Sequence, residues 1–327
     1  MKDIILNNGI RMPQIGLGTF LIPKEVLSQT IGKAYELGYR QFDTAWKYHN
    51  EKEIAQALKD NKIQRKDVFL TTKVSAAALY FGKYKYGRRS ILNIPNFRSI
   101  KDVIQESIDN LGSEYVDLFL IHYPYPESDK MWRALEDIYH EGRIRAIGVS
   151  NFLSPHLDAL KDFSDIIPAV NQFEISPLNT QKSLIADCQA RGIAVEAMST
   201  FSHFRSVESR AEIIKHPKLN EIADSHGKSV VQVVLRWLLQ QNIILIPKTW
   251  NFNHLKENIS VFDFSLSEDE MRIIDSIDKG RFLNYNPLGQ QQGFVCNHLD
   301  WDGFIKWNEE TGGSLFSRIK NKVFGKY

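Results

Sequence analysis

The feature that most constrains this chain is a regular alternation between short, continuously apolar runs and longer amphipathic stretches. The runs are IGLGTF (15–20), RQFDT (40–44), VFLTTK (68–73), VDLFLIHY (116–123), RAIGVSNF (145–152), AVNQFEIS (169–176), IAVEAMS (193–199) and IILIPKT (243–249). Most are continuous rather than alternating in polarity, as expected of strands buried on both faces of a parallel sheet. Between them, 25–37, 50–59, 101–111, 128–140, 154–163 and 180–190 carry apolar residues at three- and four-residue steps. That is the spacing of amphipathic helices, and Gly38, Gly112, Gly142 and Gly192 fall just past helix ends. The seventh connection carries 223–226 and then 229–239, and 253–261 and 267–277 close the series.

Strand and helix alternating in this way, with no repeat period and no low-complexity linker, predict a (β/α)8 barrel. A doubly wound sheet uses a similar alternation, but so many units in about 270 residues favour closure. Residues 4–13 (IILNNGIRMP) place apolar residues on either side of Asn7-Asn8-Gly9 and predict an N-terminal β-hairpin. Two segments exceed what a barrel needs: a long loop after the third strand (75–99) and a C-terminal loop and tail (279–327). The expected organisation is a barrel over 1–278 with 279–327 packing on it, one domain overall.

Composition narrows the function. Forty-one basic and 39 acidic residues leave a net charge of +2, which argues against a nucleic-acid binder by bulk electrostatics. Cys188 and Cys296 are far apart and form no CxxC, so a disulfide framework or thiolate metal site is not expected. The stretch MKDIILNNGIRMP lacks the basic-then-apolar order of a signal peptide, and polar residues interrupt the most apolar region, 230–247. The expectation is a soluble cytoplasmic protein without an integral membrane segment, a monomer or weak homo-oligomer.

The strand ends carry the chemistry. The second run ends at Asp43, the third at Lys73, the fourth at His122, the fifth at Ser150-Asn151, the sixth at Gln172 and Glu174, and the eighth at Lys248-Thr249. Parallel strands of a barrel deliver such groups to one rim, where they converge. Tyr48 follows Asp43 closely. A phenol is a poor acid at neutral pH; a nearby ammonium favours its phenolate, and a carboxylate behind the ammonium keeps the lysine charged. Asp43, Tyr48, Lys73 and His122 therefore form a candidate proton-delivery set suited to carbonyl reduction. Each alone has a plainer reading: Asp43 as a helix cap or ion pair, Lys73 as its structural partner, His122 as a core histidine. Asn50 with Glu53 three residues on predicts a capping box.

The motifs GYRQFDTAWKYHNE, FLTTK, LFLIHYP, IGVSNF, VNQFEISP and LIPKT, in this order and spacing, resemble the aldo-keto reductase superfamily from about residue 1 to 278. The resemblance implies a barrel reductase that uses a nicotinamide cofactor without a Rossmann domain, and Gly16-Leu17-Gly18 indeed lacks the rest of a dinucleotide fingerprint. It makes Tyr48 the proton donor, Lys73 and Asp43 the pair that tunes it, and His122 the group orienting the carbonyl oxygen. Ser150, Asn151 and Gln172 match positions holding the nicotinamide carboxamide. Lys248 and Thr249 match those meeting the 2′-phosphate of NADP, and Glu257 and Asn258 those at the adenine. Gly18, Thr19 and Phe20 at the mouth of the first strand, with Met198, Ser199 and Phe201 after the seventh, complete the cofactor set. Phe20, Trp46, Tyr48, His122, Tyr123 and Trp301 are the expected substrate contacts for a small carbonyl or alcohol.

Three departures from the family pattern stand out. Met198-Ser199-Thr200-Phe201-Ser202 replaces a Tyr-Ser-Pro-Leu-Gly pattern whose tyrosine stacks on the nicotinamide. His254 replaces a common phosphate-binding arginine, which predicts NADP(H) use with weakened preference over NAD(H). Tyr123 stands where many members have tryptophan, as does Phe20 where some have it. Met198 also leaves room for an alternative reading, a weakly catalytic NADP-binding barrel that senses redox state. In the long loop, Tyr80 to Arg89 interleaves aromatics with cations, read as an active-site lid, a surface loop or a nucleic-acid contact. In the tail, Leu315, Phe316, Ile319, Val323 and Phe324 lie at helical spacing beside Arg318, Lys320, Lys322 and Lys326. That segment reads as packing on the barrel or meeting a partner or anionic surface.

Overall fold

In the computed structural model, residues 2–75, 99–125, 128–201 and 207–282 are described, with the backbone alone at 207–209. Ten strands are present among them. β1 (Asp3–Ile5) and β2 (Arg11–Pro13) form an antiparallel hairpin. β3 (Leu17–Gly18), β4 (Gln41–Asp43), β5 (Phe69–Val74), β6 (Leu118–Ile121), β7 (Ile147–Ser150), β8 (Val170–Glu174), β9 (Ala194–Met198) and β10 (Ile244–Leu245) form one parallel sheet in sequential order. A parallel bridge between Ile15 and Leu245 joins its two ends. There the Gly16 N–H donates to Leu245 O (2.7 Å) and the Leu245 N–H to Gln14 O (2.9 Å), so the sheet closes on itself. The expected (β/α)8 barrel and its N-terminal hairpin are present.

Two apolar layers explain the closure. The outer one lies between sheet and helices and includes Phe42, Leu70, Phe119, Ile121, Val149, Trp132 and Trp237. The inner one joins Phe69, Leu118, Leu120, Ala146, Val170 and Ile244 to Leu6 and Met12 of the hairpin. The hairpin thus plugs the end of the barrel where the strands begin. Asn7 Nδ2 donates to Pro168 O (3.0 Å) and Asn8 Nδ2 to Arg145 O (2.9 Å), both backbone groups just upstream of strands. Gly148 is needed inside: a Cβ there would lie 2.5 Å from Val170 O and 2.8 Å from a Leu120 methyl.

The helices follow their punctuation. Ser99 and Asp102 form a capping box ahead of helix Ile100–Asn110 (3.1 and 3.0 Å). Ser229 and Gln232 do the same for Val230–Gln240. Gly38, Gly112, Gly142 and Gly192 all have positive φ at helix ends. Two helices exceed expectation. Val207–Ile214 was not foreseen, and Pro217–His226 begins well before 223, with its proline at the first helical turn.

The capping box expected at Asn50 and Glu53 does not form. Asn50 precedes helix Glu51–Asp60, but its side chain makes no cap bond. Its Oδ1 accepts from Thr44 Oγ1 (2.5 Å) and its Nδ2 donates to Thr19 O and Oγ1 (both 3.2 Å). Glu53 pairs with Lys24 instead. Buried between two rim loops, the amide gains more from their polar groups than from a helix end facing solvent. No helix among the described residues is long and apolar enough to cross a membrane. Trp301, the loop at 76–98 and the segment 283–327 lie outside the described residues.

Candidate active site

The polar strand ends meet at the rim opposite the hairpin. Lys73 and Asp43 are both buried, and all three ammonium hydrogens are accounted for: Asp43 Oδ1 and Oδ2 (2.7 Å each) and Thr44 O (2.8 Å). A buried lysine persists where its desolvation is offset by a close carboxylate and a full set of acceptors. Gln172 Nε2 donates to Asp43 Oδ2 (2.9 Å) and to Glu196 Oε2 (2.6 Å), and Gln41 Nε2 donates to Glu196 Oε1 (2.6 Å). The register Ser150–Gln172–Glu196–Ile244 sets these side chains at one level of the barrel.

Tyr48 sits in a short 3-10 turn, Trp46–Tyr48, that follows β4 and ends at His49 in the left-handed conformation (φ 53°). Its half-buried ring packs on Phe20 (centroids 4.7 Å apart) and edge-on to His122 (5.8 Å). The Lys73 ammonium lies 5.3 Å from the ring centroid. Burial and then the negative charge of Asp43 push the Tyr48 hydroxyl well above its usual range, while the hydrogen bonds of the Lys73 ammonium go to Asp43 and Thr44. His122 is held well below the ordinary histidine range by burial and then by the positive charges of Lys73 and Lys47. Its Nδ1 is buried without a hydrogen-bond partner. The phenol and the imidazole are therefore both neutral at pH 7.

The remaining expected contacts are ordered by local bonds. Trp46 is nearly buried and donates from Nε1 to Glu106 Oε2 (3.0 Å), while Tyr123 stacks on His122 (5.0 Å, 16° between planes). Asn151 takes φ 62°, and its Nδ2 donates to His122 O (3.1 Å) and Ser150 Oγ (3.0 Å), tying the ends of β6 and β7 together. Thr19 Oγ1 donates to Asp43 O (2.8 Å), and a Cβ on Gly18 would lie 2.8 Å from Ile246 O. Met198 and Ser199 (φ 54°) are half-buried, and Phe201 packs on the outer core.

A second group lies beyond β10. The exposed Lys248 places its ammonium 5.1 Å over the Trp250 ring; partial burial and then the charge of Arg210 lower its pKa. Thr249 Oγ1 accepts from Asn251 N (3.1 Å), and Asn251 caps helix Phe252–Ile259 by accepting from Asn253 N (2.9 Å) and His254 N (3.3 Å). On that helix His254 is exposed, Asn258 is buried and Glu257 accepts from Ser229 Oγ. Reasoning from strand ends overlooked Glu196, Gln41, Glu106 and Arg210. The signal for Glu196 was an acid inside the apolar run IAVEAMS. No group of three or more His, Cys, Asp or Glu among the described residues could hold a metal ion.

A closed parallel barrel with a lysine–carboxylate pair, a tyrosine and a histidine at one rim defines a class of barrel enzymes. The Aldo/keto reductase family model matches residues 14–279, and the chain belongs to that family and is an oxidoreductase. It is 38% identical to morphine 6-dehydrogenase of Pseudomonas putida over 293 residues, covering 87% of this chain and 94% of that one. It is 36% identical to glyoxal reductase of Bacillus subtilis over 290 residues, covering 88% and 97%. The solved structure of a Bombyx mori aldo-keto reductase in complex with NADP superposes with TM-score 0.73 at 31% identity, covering 86% and 94%.

Proposed function

We propose that this chain reduces a small aldehyde or ketone to the alcohol with NADPH, Tyr48 delivering the proton. The observation that carries this reading is the pairing of a neutral phenol with a neutral imidazole beside a fully satisfied Lys73–Asp43 pair. Relatives include glyoxal reductase and methylglyoxal reductase, and two solved relatives hold NADP or NADPH.

The donor and acceptor set fits a nicotinamide carboxamide. The Asn151 amide spends its N–H groups on His122 O and Ser150 Oγ, and the Gln172 amide spends its own on Asp43 and Glu196. Each therefore keeps its carbonyl oxygen as an acceptor for an amide NH2, while Ser150 Oγ, already accepting, has its own hydrogen to give to a carbonyl. Lys248 and Arg210 are the cations for a phosphate, with Thr249, Glu257 and Asn258 close by in sequence to Lys248. When bound, the cofactor supplies the hydride.

The protein's part is orientation and proton supply. His122 donates a hydrogen bond to the carbonyl oxygen and aims it at the Tyr48 hydroxyl. Tyr48 keeps its proton until negative charge develops on that oxygen, when transfer from phenol to alkoxide becomes favourable. Lys73, itself held by Asp43, then stabilises the phenolate left behind. Phe20, Trp46 and Tyr123 exclude water and select a substrate with an apolar body.

The test is purified protein with NADPH and a nitrobenzaldehyde, followed by loss of NADPH absorbance. Steady oxidation that disappears in Tyr48→Phe supports the reading. Tight NADPH binding with no turnover refutes it and leaves a redox-sensing barrel.

A further inference from the structure

Glu196 has no place in the chemistry above, yet it is fully buried in the barrel one strand from Gln172. Its hydrogen-bonding partners are polar side chains of the barrel interior. Oε2 accepts from Gln172 Nε2 (2.6 Å), Oε1 accepts from Gln41 Nε2 (2.6 Å), and Asp43 lies across the same Gln172 amide (2.9 Å). An amide has two N–H groups, and both of those on Gln172 are thus committed to carboxylates. Without Glu196 only one would be committed, and a turned amide would set its oxygen against one carboxylate instead of two.

We propose that Glu196 is a positioning residue for the nicotinamide end of the site, fixing the Gln172 amide so that its oxygen, and not its nitrogen, faces the cofactor. This rests on the reading of Gln172 as a carboxamide contact. A carboxylate suits the task because it offers acceptors only, so the amide has one satisfied orientation; the reverse would set an oxygen against two carboxylates. The device survives protonation, since a proton on Oε1 finds Gln41, whose Oε1 is buried without a partner and becomes the acceptor once that amide turns over.

The experiment measures dissociation constants of two probes by fluorescence titration without carbonyl substrate. NADPH carries the nicotinamide; adenosine 2′,5′-bisphosphate carries only the adenosine half. Glu196→Leu combined with Gln41→Leu removes the carboxylate together with its other amide partner, frees one Gln172 N–H, and should weaken NADPH roughly tenfold, the loss of one well-placed hydrogen bond. Adenosine 2′,5′-bisphosphate should bind within about twofold of the parent, which a general disturbance of the barrel would not allow. Glu196→Gln, whose oxygen accepts from Gln172 and whose nitrogen donates to the Gln41 oxygen once that amide turns over, should restore NADPH binding. Gln172→Ala separates the two readings. If it leaves NADPH binding unchanged, the carboxamide role of Gln172 falls and this inference with it. If Gln172→Ala weakens NADPH but the Leu pair does not, or the Leu pair weakens both probes alike, Glu196 is not a positioning residue while the site stands.

Discussion

Glu196→Gln should change how stability depends on pH, and the structure sets both sign and size. Burial, then the charge of Asp43, raises the Glu196 carboxyl from an ordinary 4.5 to about 7. The oxygens of Glu196 meet only amide N–H groups, whereas both oxygens of Asp43 rest on the Lys73 ammonium. The folded protein holds the proton over a range in which the unfolded chain has already released it. The stability contributed by this group is therefore complete below the unfolded value and is lost as pH rises through the folded one. The gap of 7 − 4.5 = 2.5 units, at about 1.36 kcal/mol per unit, is on the order of 3 kcal/mol.

Glutamine mimics the protonated form permanently and loses nothing on that ascent. Urea unfolding of both proteins, followed by tryptophan fluorescence from about pH 5 to about pH 8, should show the variant gaining on the parent by about 3 kcal/mol across the range. Groups common to both proteins cancel in the difference. A difference that stays flat within about 0.5 kcal/mol, or that falls with pH, refutes the argument that Glu196 is a buried carboxyl disfavoured when charged.

Three further outcomes follow from the site. Tyr48→Phe should lower kcat by roughly 10²–10⁴ while leaving the NADPH dissociation constant unchanged, measured by steady-state kinetics and titration. Asp43→Asn keeps the shape but strands the buried Lys73 charge and sets an NH2 group against either Lys73 or Gln172; urea unfolding should show a loss of about 3–5 kcal/mol, and a loss under about 1 kcal/mol would mean the pair is not stabilised as drawn. The exposed His254 should leave kcat/KM for NADH and NADPH comparable, and His254→Arg should raise the NADPH value by roughly tenfold or more without altering that for NADH, since it adds a charged hydrogen bond to the 2′-phosphate.

The barrel was legible because burial on both faces of a parallel sheet leaves runs such as VDLFLIHY with no polar alternation, and because glycines mark helix ends by the φ they allow. Where each ladder stops was not. IGLGTF and IILIPKT shrink to Leu17–Gly18 and Ile244–Leu245 as paired strands: past the first, Thr19 Oγ1 donates to Asp43 O, and past the second comes Pro247, which has no N–H for a ladder. Apolar content records burial, and burial continues past the last ladder hydrogen bond. The unforeseen helix Val207–Ile214 precedes Pro217, and only the fold shows that its Arg210 approaches Lys248.

The site divides along a similar line. Asp43, Lys73, His122 and Gln172 could be read because each is polar at the end of an apolar run, and a barrel gives such ends a common destination. Which of them touch was decided by distances that no motif carries. The three hydrogens of Lys73 reach Asp43 and Thr44, so it faces the Tyr48 ring as a charge 5.3 Å from the centroid. Asn50 stands at its helix start as expected, but two threonines from adjoining loops claim the side chain that was to cap it. Glu196 lies two residues before the end of its strand, where a lone acid in an apolar run has no visible partner; its partners, Gln41 and Gln172, lie on two other strands of the closed ring. In a closed barrel the interior pairs residues by level, and level depends on the stagger of every strand at once, so an interior network becomes legible only after the ring has closed.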